Sequence, residues 1–371
     1  MVIEPIFDPT VWSRVPFHFW SLTMFVFGCI VGSFLNVCIH RMPLGQSVVS
    51  PPSHCPHCKY SIPWWLNIPL ITWLSLRGKC KNCGAPISIR YFLVELLTGT
   101  LFCLCWLKFG ARFPMVALVF CLFLAGLIVA TFVDFEHYII PDEITYGGMV
   151  IGFFISFFLP ELHAEDTATG GMFKSALGMA AGAGLIYSIL RLGKLAFGRQ
   201  KISIPDSGRI IFSETAVHLP ELDIPYEEIF YRRSDTIKLE AQTVELVDRC
   251  YKDVPVKLCL ISKMLRIGDD ELNPEEVHYM EITASQIVLP REAMGLGDVK
   301  FMGAIGAFLG WQAVLFTVAV SSGIGALVGI SLILLGKRER SKYLPYGPYL
   351  AMAAALWIFF GPALWRMAFG E

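Results

Sequence analysis

Charge is scarce in this sequence and balanced where it occurs. Only 16% of the residues are charged, and 30 basic against 31 acidic side chains leave a formal net charge of -1. Hydrophobic residues make up 55% of the 371 positions, and the mean hydropathy is +0.57. That combination excludes an ordinary soluble domain and indicates a polytopic membrane protein. A small-residue cleavage site of the A-x-A kind is missing after the first apolar run, Phe17 to Ile39. The run is also too long for a signal-peptide core, so it is expected to stay as a first span. No glycine-rich nucleotide loop is found. The net charge itself says nothing about partners, and no nucleic-acid partner is expected.

Further spans are expected near 91–107, 114–133, 143–159 and 172–197, with two sharing 299–336 and a last one at about 344–365. A crossing helix takes about 20 residues, with a lower limit of about 17, so 299–336 is tight for two. Gly306, Gly310, Ser321, Ser322 and Gly323 leave the turn position there open. Lysine and arginine set the orientation. They gather in 40–90 (Arg41, Lys59, Arg77, Lys79, Lys81, Arg90), after the fifth span (Arg191, Lys194, Arg199, Lys201) and in Lys337–Lys342. The alternate loops hold only Arg14, Lys108 and Arg112. This alternation fits eight crossings with both termini outside.

The expected fold is therefore a polytopic α-helical membrane protein of about eight transmembrane helices. It carries a small zinc-ribbon-like cytoplasmic loop and a β-rich cytoplasmic insert. In order, 1–39 holds the first span, 40–90 the cysteine loop and 91–198 the helices carrying a first aspartate. Residues 199–292 form the insert, and 293–371 the last helices with a second aspartate.

Those aspartates are Asp134, which closes the third apolar run, and Asp298, in Met294-Gly295-Leu296-Gly297-Asp298-Val299-Lys300. The charge alternation places both on the cytoplasmic face. An ionisable group at the edge of a membrane helix is costly and marks a functional candidate. Two close carboxylates can hold one proton between them and activate a water molecule. Taken alone, either reads better as an ordinary interfacial cap or loop residue; the functional reading rests on the two together. Asp142, after Pro141 and before the fourth span, reads better as an N-cap. Lys300 either tunes its neighbour or marks the interface.

The loop 40–90 contains Cys55-Pro56-His57-Cys58, twenty-one residues, then Cys80-Lys81-Asn82-Cys83. Two such pairs can close a tetrahedral zinc site, with Cys55, Cys58, Cys80 and Cys83 as ligands. A reducing cytosol disfavours structural disulfides. A dithiol redox pair and unligated thiols remain alternatives, and His54 and His57 are weaker ligands. Cys29, Cys38, Cys103, Cys105, Cys121, Cys250 and Cys259 are assigned no chemistry.

Gly28 and Gly32 have the spacing for close helix approach. Glu95, one turn inside the second span, pairs with Arg90 or Arg41, or else lines a ligand site. Residues 201–290 carry 10 basic and 17 acidic side chains and alternate apolar with polar residues, as in a small β-rich domain.

Together these stretches resemble the type IV prepilin peptidases, which belong with the GxGD membrane aspartyl proteases. The resemblance rests on Gly32 to Pro43, the two cysteine pairs, Ile87 to Tyr91 with Val94-Glu95-Leu96, Asp134 to Asp142, Gly295 to Lys300, and Tyr346-Gly347-Pro348. The acidic insert departs from the common plan. The resemblance implies removal of a short basic leader from prepilins and pseudopilins, next to the leader's final glycine, with Asp134 and Asp298 as the catalytic pair. It implies that methylation of the new N-terminal amine by S-adenosylmethionine follows, as in many members, and links the cysteine loop to that step. The methyl-donor site is not placed by sequence; Glu95 and the Gly32–Arg41 stretch are candidates for it. The implied location is the bacterial inner membrane, with a cytoplasm-facing site, a lipid surround, and pilus or secretion machinery as further partners. Glu136, Asp142 and Glu143 are expected to attract the basic leader. The competing readings are a related GxGD protease with other substrates, and a non-enzymatic transporter or scaffold with a zinc module.

Overall fold

The computed structural model describes residues 16–197, 199–204, 208–220, 222–226, 229–230, 235–277, 279–290, 295–335 and 345–370. Arg14, Met294 and the basic run Lys337–Lys342 lie outside the described residues. The chain divides into two compact units, one built from residues up to 187 and from 296 onward, the other from 188–295.

The first unit is helical. Its long helices are α1 (Phe17–Arg41), α2 (Ile89–Cys105), α3 (Pro114–His137), α4 (Asp142–Phe158), α5 (Ala168–Phe197), α6 (Leu296–Leu334) and α7 (Gly347–Phe369). In lipid every backbone polar group must be satisfied inside the protein, which is why apolar runs of this length fold as helices. Six of them, all but α4, are long and apolar enough to cross a membrane. The sequence pattern predicts eight crossings. The difference lies in α4, which has 17 residues, and in α6, which runs through both crossings expected in 299–336. Helix α6 is interrupted at Gly310, where φ is 80° and ψ is 174°. That backbone region is open essentially to glycine alone.

Helices α1 and α2 approach closely through small residues. A Cβ on Gly28 would lie 2.8 Å from the Gly99 Cα, and one on Gly32 would lie 2.8 Å from the Glu95 Cα. Asn36 continues the seam, donating to the carbonyls of Gly32 and Tyr91 at 3.2 and 3.1 Å. Near the far end of α7, Pro362 lacks the N–H that would bond to the Ile358 carbonyl. Lys108 supplies a substitute, its ammonium donating to that carbonyl at 3.0 Å and also to the Phe359 carbonyl.

The second unit is β-rich, as its alternating sequence implies. Among the described residues it has ten strands: β1 (Arg199–Ser203), β2 (Arg209–Phe212), β3 (Ala216–Leu219), β4 (Leu222–Pro225), β5 (Ile237–Leu246), β6 (Cys250–Cys259), β7 (Met264–Ile267), β8 (Asp270–Leu272), β9 (Met280–Thr283) and β10 (Gln286–Pro290). The order is β4-β3-β2-β9-β5-β6-β7-β8, with β10 pairing both β5 and β1. All pairs are antiparallel. Ile237, Leu239 and Ala241 of β5 point into the core, alternating with Lys238 and Glu240. Ile210, Val244, Ile282 and Ile287 are fully buried there.

Candidate functional site

Asp134 lies three residues before the end of α3 and is 6% exposed. Helix α3 ends where Tyr138 takes a left-handed conformation and donates its N–H to the Asp134 carbonyl. The Asp134 carboxylate turns toward the first residue of α7, whose Gly347 N–H donates to Oδ2 at 3.0 Å. The N-terminus of a helix presents unsatisfied N–H groups and positive dipole, a setting that suits a carboxylate. Tyr346, just before, is bonded to Ser321 Oγ at 2.7 Å and to Ser322 Oγ at 3.0 Å. These bonds tie the start of α7 to α6.

Asp298 occupies the first turn of α6 and is 9% exposed. Ile140, in the short link between α3 and α4, joins the two acidic segments. A Cβ on Gly297 would lie 3.7 Å from Ile140 Cβ, and one on Gly347 would lie 3.1 Å from Ile140 Cδ1. One buried side chain thus packs against the residue preceding Asp298 and against the residue that holds Asp134.

The acidic link behaves differently from its sequence reading. Asp142 does not cap α4: Pro141 stands at the cap position, and no side-chain cap bond forms. Its carboxylate instead accepts from Lys300 Nζ at 2.7 Å, which ties the start of α4 to the start of α6. The same ammonium lies 4.6 Å from the centroid of the Tyr146 ring. Glu136 pairs with Arg90 at the start of α2. Two of the three carboxylates expected to attract a basic leader are therefore engaged within the chain, leaving Glu143 on an exposed helix start.

Glu95 pairs with neither Arg90 nor Arg41. Arg90 is taken by Glu136, and Arg41 donates to the Ser47 and Pro51 carbonyls at 3.0 and 2.8 Å. Glu95 is 7% exposed, and its Oε2 accepts the Leu70 N–H at 2.7 Å.

The four cysteines of the loop converge. Their sulfur atoms all lie within 4.8 Å of one another, with Cys55 to Cys83 at 3.9 Å and Cys58 to Cys80 at 4.0 Å. A tetrahedron of sulfurs about 2.3 Å from a metal has edges of roughly 3.8 Å, so the cluster fits such an ion. Both pairs sit on the same turn. Lys59 N–H donates to the Cys55 carbonyl and Cys55 N–H to Tyr60, and Gly84 and Ala85 repeat the pattern around Cys80. The residue after each pair has positive φ, 58° at Lys59 and 71° at Gly84. The Asn82 side-chain amide, with the Tyr60 backbone, pulls the Cys58 thiol down to about 6, toward the thiolate a metal needs. His54 is bonded to the Pro52 carbonyl, and among the described residues no histidine joins the cluster.

Two family profiles match the chain. The Bacterial Peptidase A24 N-terminal domain matches residues 26–109, and the Type IV leader peptidase family matches 121–202 and 256–330. Among curated relatives, a prepilin leader peptidase/N-methyltransferase of Myxococcus xanthus (strain DK1622) is 46% identical over 149 residues, 39% of this chain and 44% of the relative. One of the same name from Aeromonas hydrophila is 28% identical over 95% of this chain and 94% of its own length. Another, from Dichelobacter nodosus, is 33% identical over 49% of this chain and 69% of its own length. No solved structure matches the chain.

Proposed function

The chain belongs to the type IV leader peptidase family, and from that membership we propose that it removes the basic leader from prepilins and pseudopilins and then methylates the new N-terminus. The curated relatives carry both activities in their name. The observation that carries the peptidase reading is the shared packing of Ile140 against Gly297 and Gly347. It brings the segments bearing Asp134 and Asp298 to one end of the helical unit.

In this reading Asp134 and Asp298 hold a water molecule between them. One carboxylate takes the proton of the water as it attacks the scissile carbonyl, and the other, protonated, polarises the carbonyl oxygen. The Gly347 amide fixes the rotamer of Asp134. Gly297 leaves room for an extended substrate backbone beside Asp298. We place both aspartates on the cytoplasmic face of a bacterial inner membrane, where a leader outside the bilayer and an apolar helix within it can meet them. We assign eight crossings, with α4 at the lower length limit and Gly310 dividing α6 into two.

Cys55, Cys58, Cys80 and Cys83 would hold a zinc ion. Four thiolates leave no open position, so the ion folds the loop and takes no part in the chemistry. S-adenosylmethionine would supply an electrophilic methyl group; among the described residues no glycine-rich nucleotide loop offers it a cradle. Incubating the purified protein with a prepilin and methyl donor, and weighing the product N-terminus, tests both reactions together.

A further inference from the structure

A groove of about 640 Å³ is lined by α1 from Phe25 to Arg41 and by residues of the segments 48–53 and 67–71. Its lining is mostly apolar, with Phe25, Phe34 and Val37 from the helix and Pro52, Ile68 and Leu70 from the two segments. Arg41 is the one charged residue in it, and no aspartate or glutamate contributes. The Arg41 side chain is buried, at 8% exposure. Its guanidinium donates to the Ser47 and Pro51 carbonyls at 3.0 and 2.8 Å, and among the described residues no carboxylate pairs with it.

Both carbonyls are neutral. They fix the orientation of the cation without balancing its charge. A buried charge that lacks a counter-charge is costly, and an anion reaching the groove offsets that cost. A guanidinium presents five N–H groups in a planar fork that suits phosphate oxygens, and two backbone bonds leave donors for them. The dimensions select the rest of the ligand. Phe25 to Arg41 spans about 24 Å at the helical rise. One leaflet, from headgroup region to midplane, is about 20–22 Å deep. The volume divided by that length gives a section of about 27 Å², a slot roughly 6 Å wide. A helix about 10–12 Å across is too broad for it. A single hydrocarbon chain, packing at carbon contacts of about 4 Å, is not.

We infer that the groove binds one anionic phospholipid of the surrounding bilayer, with the phosphate on Arg41 and one acyl chain along α1 toward Phe25. The lining explains the choice of headgroup. An ethanolamine ammonium finds no carboxylate there, whereas the hydroxyls of a glycerol headgroup have Ser53, a lining residue two positions beyond the Pro51 carbonyl that Arg41 binds. The other acyl chain stays in the bilayer, beside Val26 and Ile30, which line the groove and are 51% and 54% exposed. A lipid so placed touches both α1 and the segment 48–53, and fastens the start of the cysteine loop to the membrane. The inference needs only a chain that spans a membrane, and it stands apart from the peptidase and methylation readings.

Native mass spectrometry of the full-length protein, delipidated in detergent and titrated with lipid, is the direct test. One phosphatidylglycerol per chain is expected to bind about tenfold more tightly than phosphatidylethanolamine with the same acyl chains, the scale of one charge-assisted hydrogen bond. Arg41→Gln should abolish that preference. Equal affinity of the two lipids for the wild type, or an undiminished preference in the variant, overturns the inference. Should Arg41→Gln fail to fold, Val37→Trp narrows the slot and keeps the guanidinium. It should weaken binding of both lipids, and unchanged binding overturns the inference. Competition then identifies the occupant. Lysophosphatidylglycerol, with one chain, should displace the bound lipid, and glycerol 3-phosphate, with none, should not. Displacement by the chainless phosphate would reduce the groove to an anion site, and displacement by an apolar transmembrane peptide would give it to a protein segment. Either result contradicts the inference.

Discussion

Gly347 donates its backbone N–H to the Asp134 carboxylate at 3.0 Å, across 213 positions of sequence. The contact demands glycine. A Cβ there would lie 2.7 Å from Asp134 Oδ2 and 3.1 Å from Ile140 Cδ1. Gly347→Ala should therefore push the carboxylate aside and slow prepilin cleavage by about 100-fold, the scale of an ångström-level misplacement. Helical content by circular dichroism should be unchanged. Full cleavage in Gly347→Ala would mean that this bond does not position Asp134.

Lys300 and Asp142 form a link between the start of α6 and the start of α4. The Asp142 side chain is 62% exposed, so the pair adds little to stability. Its effect should appear in catalysis, because Lys300 follows Asp298 by two residues. Lys300→Ala and Asp142→Ala are each expected to reduce kcat about tenfold with little change in KM. The exchange Lys300→Asp with Asp142→Lys should recover part of the loss. An exchange no better than the single variants would show that the ion pair is not what matters.

One zinc ion per chain is expected by elemental analysis of protein purified under reducing conditions. Cys83→Ser should lose it and render the segment 55–84 sensitive to protease, because the metal supplies much of the folding energy of so small a loop. Prepilin cleavage in detergent should survive. A metal-free wild type with an intact loop would contradict the assignment.

His163 offers a pH signature at the opposite end of the helical unit. It follows α4, bonds to Ser156 Oγ at 2.9 Å, and burial holds it down at about 4 against an ordinary 6.5. The unfolded chain takes up this proton below about 6.5, and the folded chain resists until about 4. The neutral ring thus contributes fully above the higher value and progressively less as pH falls toward the lower. Thermal melts of the wild type should lose more between those two values than melts of His163→Gln. Parallel curves would remove His163 from the acid response.

Much of this was legible in the sequence for local reasons. The C-x2-C spacing dictates a tight turn, and two such turns can only converge on a shared centre once the loop closes. The period-2 alternation of 236–240 and 256–261 indicates strands without fixing their order, because β5 meets β6, β9 and β10 at different points along its length. The turn in 299–336 stayed open because five small residues competed for it; Gly310 is the one whose backbone leaves the helix. Sequence leaves Glu95 between an arginine partner and a ligand site; both arginines are engaged elsewhere and its Oε2 accepts the Leu70 backbone amide, a partner that side-chain charges do not display. Asp142 looked like a cap because it follows proline, and the ammonium that claims it lies 158 residues away.

The pairing of Asp134 with Asp298 is best tested by mass spectrometry of a prepilin after incubation with wild type, Asp134→Asn and Asp298→Asn, each purified in detergent. The wild type should yield leader-free product, and each variant should be slower by about a thousandfold or more, within the range for loss of an acid–base group. Wild-type cleavage by either asparagine variant would contradict the two-carboxylate mechanism.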